Sequence, residues 1–115
     1  MKHVMRLHDA PYNMIGSGRK TIELRLYDEK RRSVCVGDEI EFLHSEKKGE
    51  ALICRVIALH VFSSFAELYS VLPLLKCGYT EDDVFSASPA DMELYYSKQQ
   101  QEECGVVGIE IELIG

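Results

Sequence analysis

Tryptophan is absent from these 115 residues, proline occurs only three times, and no apolar run approaches the length of a membrane span, which needs about 20 residues. The opening residues, Met1-Lys2-His3-Val4-Met5-Arg6, alternate apolar and polar side chains and hold no hydrophobic secretion core, so a cytoplasmic location is expected. The four cysteines, Cys35, Cys54, Cys77 and Cys104, form no CxxC pair, and none has a histidine at zinc-finger spacing. Neither a disulfide framework nor a metal site is expected, and no cofactor. Cys35 and Cys54 lie in apolar-patterned runs and read as small buried side chains. His3, His8, His44 and His60 are equally scattered. Phosphate-binding glycine loops are missing too, because Gly16-Ser17-Gly18 precedes a strand pattern instead of a helix. Without repeats, low-complexity segments or a long linker, residues 1–115 read as one domain, large enough to bury an ordinary core.

Positive charge is scarce overall: 13 basic residues face 19 acidic ones, a net charge of -6. That argues against a general nucleic-acid binder, which is usually basic. The distribution is uneven. Arg19, Lys20, Arg25, Lys30, Arg31 and Arg32 fall in one window with only Glu23, Asp28 and Glu29 as acids. An acidic body with one basic segment suits a local anionic ligand better than a long groove.

What is present reads as α+β. Residues 2–7 alternate as a first strand, and Asp9 caps a short helix with Pro11 in its first turn and Tyr12 and Ile15 on one face. From Lys20 the period becomes two: Ile22, Leu24 and Leu26 share one face, and Thr21, Glu23, Arg25 and Tyr27 the other. Further strands are expected over 38–44, 51–61 and 106–113, the last with Val107, Ile109, Ile111 and Leu113 inward. Between them Ser64 and Glu67 form a capping box, with Phe65, Leu68, Tyr69 and Leu72 on one helical stripe. Thr80 with Asp83, and Ser88-Pro89-Ala90-Asp91, start two more short helices, the second carrying Met92, Tyr95 and Tyr96 on a stripe. The order predicts a mixed sheet of about five to six strands curled into a small barrel with short flanking helices. One core is expected, around Ile22, Leu24, Phe42, Val56, Ile109 and Ile111.

The segment Gly18-Arg19-Lys20-Thr21-Ile22-Glu23-Leu24-Arg25 resembles the GxKxxExR signature of the ASCH domain family, whose fold is related to PUA RNA-binding domains. Val36-Gly37-Asp38-Glu39-Ile40-Glu41-Phe42 looks like the family's turn and strand. Tyr95-Tyr96 before Cys104-Gly105-Val106-Val107-Gly108-Ile109 looks like its closing helix and strand. The resemblance covers essentially the whole chain, as in small single-domain members of bacterial type, and implies a PUA-like barrel that binds RNA, a nucleotide or a modified nucleoside. The residues support a site independently of it. Gly18 permits a sharp turn, and Lys20, at the strand's first position on the core-facing parity, can reach a cleft at the barrel rim. Glu23 and Arg25, two apart, project from one face, one to accept from a base edge and the other to hold a phosphate as a planar fork. The bland alternative is that Glu23 and Arg25 pair with each other.

The expected ligand-binding set is therefore Gly18, Arg19, Lys20, Thr21, Glu23, Arg25, Tyr27, Lys30, Arg31 and Arg32. Tyr27 is the candidate for stacking on a base, and Lys30, Arg31 and Arg32 for backbone phosphates. The alternative is a hydrolase like the family's N4-acetylcytidine amidohydrolases or its ribonuclease members. In the amidohydrolases the motif lysine works with a threonine three residues on and a glutamate in the helical excursion. Here that third position is Glu23, and the excursion offers Glu81, Asp82 and Asp83. A hydrolytic role would make Glu23 a general base and Lys20 the stabiliser of an oxyanion. A carboxylate beside two cations has its basicity lowered, which favours binding.

Overall fold

A computed structural model describes all 115 residues. The chain runs β1 (Lys2–Leu7), α1 (Asp9–Gly16), β2 (Ile22–Leu26), α2 (Glu29–Arg32), β3 (Glu39–His44) and β4 (Ala51–Phe62). A helical excursion follows: α3 (Phe65–Val71), three short 3-10 turns (Leu74–Lys76, Val84–Ser86, Pro89–Leu94) and α4 (Lys98–Cys104), before β5 (Val106–Leu113). No helix is long and apolar enough to cross a membrane. The five strands form one mixed sheet in the order β1-β3-β4-β5-β2, parallel between β1 and β3 and antiparallel elsewhere.

Local signals account for most of these elements. Ser64 caps α3 by accepting from the Glu67 backbone N–H, and Ser88 and Asp91 complete a reciprocal capping box at the third 3-10 turn. His8, not Asp9, occupies the N-cap position of α1, and Asp9 lies in its first turn, where a carboxylate favours the positive end of the helix. Two short helices lack an apolar stripe and escape a periodicity reading. They are α2, capped by Asp28, and α4, capped by a Ser97–Gln100 box. Cys54 is fully buried. Cys35, expected inside, is exposed, because its neighbour Val34 takes the core position at the end of α2.

The core departs from the single cluster expected. Phe42, Val56, Ile109 and Ile111 pack with Met5, Ile40 and the α1 residues Tyr12 and Ile15. Ile22, Leu24 and Leu26 instead join a second cluster with Val106, Phe65, Leu68 and Met92, under the excursion. The register explains the division. Directly opposed residues on antiparallel strands share a face: Glu23 pairs with Ile109 and Arg25 with Val107, whereas Leu24 pairs with Gly108 and Leu26 with Val106. The apolar row of β2 therefore faces the excursion, and its charged row lies on the face of the first core. Gly108 lets the layers approach, since a Cβ there would stand 2.7 Å from Leu72 Cδ1 and 3.1 Å from Ile22 Cγ2.

The sheet curls but does not close by backbone pairing. β1 and β2 are its two edges, and side chains reach across to β1: the Arg25 guanidinium of β2 donates to the Arg6 carbonyl at 2.9 Å, and Lys30 Nζ of α2 to the Val4 carbonyl at 2.9 Å. These bonds occupy the carbonyls of an edge that would otherwise be open to strand addition.

At the far end of β1, Asp38 accepts from His3 Nε2 at 2.8 Å and from the Cys35 backbone N–H at 3.0 Å. These bonds hold its carboxyl at about 2, below the free value of about 3.9. Its stabilising contribution is therefore complete above pH 4 and is lost as the pH falls from about 4 to 2. The urea midpoint of Asp38→Asn is expected to fall less steeply than that of the parent across this window. Parallel curves for the two proteins would show that Asp38 does not contribute.

Candidate functional site

A cleft of about 480 Å³ opens along the seam where β1 and α1 face β2 and the excursion. Its position follows from the divided core, since the charged row of β2 emerges where the sheet stays open. The strand begins at Ile22, so Lys20 precedes it and has no strand parity. The backbone N–H of Thr21 is tied to the Lys76 carbonyl at 2.9 Å. From there Lys20 reaches back along Gly78 to place Nζ 2.7 Å from Glu23 Oε1. Arg25 Nε donates to Glu23 Oε2, also at 2.7 Å. Lys20, Glu23 and Arg25 thus converge as one buried triad, with side-chain exposures of 10%, 5% and 13%.

Burial would raise the Glu23 carboxyl, but the adjacent Lys20 and Arg25 charges and their hydrogen bonds outweigh it and hold it below the usual carboxylate range. Burial likewise disfavours the Arg25 charge, and Glu23 reverses that effect. Both carboxylate oxygens carry a charged donor, so Glu23 is an ionised anchor and a weak proton acceptor. Donors remain free: Lys20 has three N–H groups, and Arg25 uses Nε on Glu23 and a terminal nitrogen on the Arg6 carbonyl. The floor of the cleft is donor-rich.

The excursion supplies a phenolic wall. Tyr79 donates to Asp91 Oδ2 at 2.7 Å, and the Tyr69 and Tyr79 hydroxyls are 2.7 Å apart. The Tyr79 proton is engaged by the carboxylate, so Tyr69 must donate to Tyr79. Its own oxygen keeps acceptor capacity, and Tyr69 lines the cleft. Burial, Tyr69 and Asp91 all push the Tyr79 phenol upward, while the Tyr79 bond lowers Asp91. Tyr96 lines the same space and stacks on Phe65, with ring centroids 6.2 Å apart. Cys77 also faces it, its thiol pushed up to about 11 by burial.

The remaining expected residues fall elsewhere. Gly18, at φ +81°, makes the predicted turn but is exposed and outside the cleft. Arg19 is exposed and donates to Ser17 Oγ; Thr21 does not line the cleft. Tyr27 packs against the first core, with the Arg32 guanidinium 4.5 Å above its ring. Arg32 also donates to the Cys104 carbonyl. Lys30 and Arg31 line a separate small cavity on the same seam. Of the excursion acids Glu81, Asp82 and Asp83, Asp83 lines the cleft, and its Oδ1 accepts from the Thr80 N–H at 2.6 Å. No group of three or more His, Cys, Asp or Glu side chains is placed to hold a metal ion. Sequence reasoning missed the Tyr69–Tyr79–Asp91 chain. Tyr69 sits on a stripe that reads as core, and only the fold brings Tyr79 beside it.

The ASCH domain family model matches residues 5–115. No curated protein matches the chain. Among solved structures, the crystal structure of hypothetical protein PH0355 is 34% identical with a TM-score of 0.82, the match covering 99% of this chain and all of that one. The solution structure of protein PF0455 from Pyrococcus furiosus is 32% identical at a TM-score of 0.76, covering 99% and 98%. A mutant of ZmASCH from Zymomonas mobilis is 14% identical at a TM-score of 0.67, covering 97% of this chain and 70% of that one, a likeness of fold alone. The curled mixed sheet with its short helices is the α+β, PUA-like architecture expected from the signature. With the family matched over nearly its whole length, this chain belongs to the ASCH domain family.

Proposed function

We propose that this protein binds RNA or a modified nucleoside in the cytoplasm, with one base held in the cleft between β2 and the excursion. The ASCH family is associated with RNA binding, and the observation that carries the reading is the convergence of Lys20, Glu23 and Arg25 on the cleft floor. A volume of about 480 Å³ falls in the range of small-ligand sites, about 300–1,000 Å³. Lys20 and Arg25 donate to the carbonyl and ring-nitrogen acceptors of the base, while Glu23 fixes both cations and does not itself read it. Tyr69 offers an acceptor from the opposite wall, and Tyr96 an aromatic edge. A carboxylate held ionised by two cations is poorly suited to general-base work, so the reading is binding without hydrolysis.

The test pairs binding with turnover. Short single-stranded RNA and N4-acetylcytidine are titrated against the protein, and products are followed by chromatography. Lys20→Ala is expected to weaken binding by about ten- to a hundredfold, the loss of a charge-assisted bond of about 1.5–3 kcal/mol. RNA affinity is expected to fall with salt at a slope of about -0.7 per phosphate contacted. Equal affinity for parent and Lys20→Ala would remove the cleft as the site. Robust deacetylation by the parent, lost in Glu23→Ala, would replace binding by catalysis with Glu23 as the base, and Glu23→Thr tests whether a hydroxyl at that position suffices.

A further inference from the structure

A second cavity, about 360 Å³, lies on the open seam next to the cleft. Its charged lining residues are Arg6, Arg25, Lys30 and Arg31, with backbone and apolar atoms of Val4 and Met5 completing it and no carboxylate among them. Arg6 and Arg25 line both cavities, so the two are neighbours across a shared pair of cations. In a protein of net charge -6, four cations around one small cavity call for an explanation. Edge bridging accounts for part of it: Lys30 Nζ donates to the Val4 carbonyl and Arg25 to the Arg6 carbonyl. It leaves much unaccounted for. Arg6 and Lys30 are exposed side chains whose charges face this cavity without an acid partner. Arg31 pairs with Asp28 through a terminal nitrogen at 3.1 Å, yet its Nε is buried with no partner. A buried donor without an acceptor is costly, and such groups ordinarily mark a missing partner.

We infer that this seam cavity is a phosphate subsite, so that the ligand of the adjacent cleft is a phosphorylated nucleotide or an RNA link and not a free nucleoside. Arg25 and Arg31 already pair with Glu23 and Asp28, so a phosphate group supplies the counter-charge that Arg6 and Lys30 lack, and its oxygens can take their unused donors together. Arg25 joins the two halves, fixed by Glu23 on one side and by the β1 carbonyl on the other. The open seam gives the subsite its place: a closed ladder between β1 and β2 would bury these groups in backbone pairing.

The assignment rests on the nucleobase reading of the cleft, and the experiment separates the two. The protein is titrated with cytidine, uridine, adenosine and guanosine, with their 3′- and 5′-monophosphates, with dinucleoside monophosphates as the diester arm, and with inorganic phosphate, all followed by amide and side-chain NMR shifts. For the preferred base, the phosphorylated form is expected to bind at least tenfold tighter than the nucleoside. The shifts from its phosphate should fall on Val4, Arg6, Lys30 and Arg31, and those from its base on Gly78, Tyr79 and Tyr96. Lys30 lines the seam cavity only, so Lys30→Gln is expected to reduce nucleotide affinity about tenfold while leaving nucleoside affinity unchanged. A monoester preference would indicate a mononucleotide, and equal gains from monoester and diester an RNA chain; either supports the subsite. Nucleosides that shift the cleft with no gain from phosphate would overturn the subsite and leave the base reading standing. Phosphate-dependent shifts at the seam without any base dependence would sustain the subsite and sink the base reading. If no compound shifts either cavity, both are lost.

Discussion

Glu23→Ala is expected to cost about 3–5 kcal/mol of stability, the range for removing one partner of a buried ion pair. Glu23 is buried, its side chain 5% exposed, and its carboxylate is the shared acceptor of Lys20 and Arg25 at 2.7 Å each. Its removal strands two cations side by side in a site with little water. The cleft admits some solvent to them, which places the effect in the lower half of the range. Glu23→Gln keeps the volume and one acceptor oxygen and is expected to lose less. Because the folded state holds Glu23 below its free value, the difference between parent and Glu23→Gln should be full above about pH 4.5 and shrink as the pH falls further. Urea unfolding at pH 7 and pH 3 measures both effects. A loss below about 1 kcal/mol at pH 7 would show the triad to be a solvated pair and not a buried anchor.

Phe65→Ala is expected to cost about 3–5 kcal/mol, as for other fully buried phenylalanines, and to impair ligand binding from a distance. Phe65 is 0% exposed at the first position of α3, in the second core. Its ring stacks on Tyr96 and meets Tyr69 edge-on at 6.5 Å, so it seats the aromatic wall of the cleft. A cavity there lets Tyr69 and Tyr96 reorient while the β2 floor keeps its triad. Affinity should therefore fall even under conditions where the variant remains folded. Leu68→Ala is the useful contrast, since Leu68 is equally buried in the same cluster but has no ring to stack on Tyr69 or Tyr96. If both variants, compared at matched folded fractions, lose affinity equally, the Phe65 rings are not what positions the site.

Five strands, the capped α3 and the capping box at Ser88 were legible in the sequence because each rests on local information: period-two alternation, or a hydroxyl and a carboxylate three residues apart. The signature segment was legible as a motif for the same reason. The assignment of faces was not. The row Ile22, Leu24, Leu26 reads as the inward face of an ordinary half-buried strand, and only the 65–104 excursion, folding over that row, turns it into a second core. β2 is consequently covered on both faces, which is why Glu23 is buried and why Lys20 and Arg25 close on it. The basic run at 30–32 shows the limit from the other side. Composition places three cations together, but Arg32 lies on Tyr27 while Lys30 and Arg31 line the seam cavity, Lys30 reaching the β1 edge and Arg31 pairing with Asp28, a division that sequence neighbours cannot reveal. The sequence by itself determined the five strands, α1, α3, their order and the family, since caps and periods act within a few residues, while α2 and α4, which carry no apolar stripe, went unread. The cleft, the Tyr69–Tyr79–Asp91 chain and the open seam were decided by tertiary structure alone, because each joins groups from distant segments through a register and a packing face that no local pattern encodes.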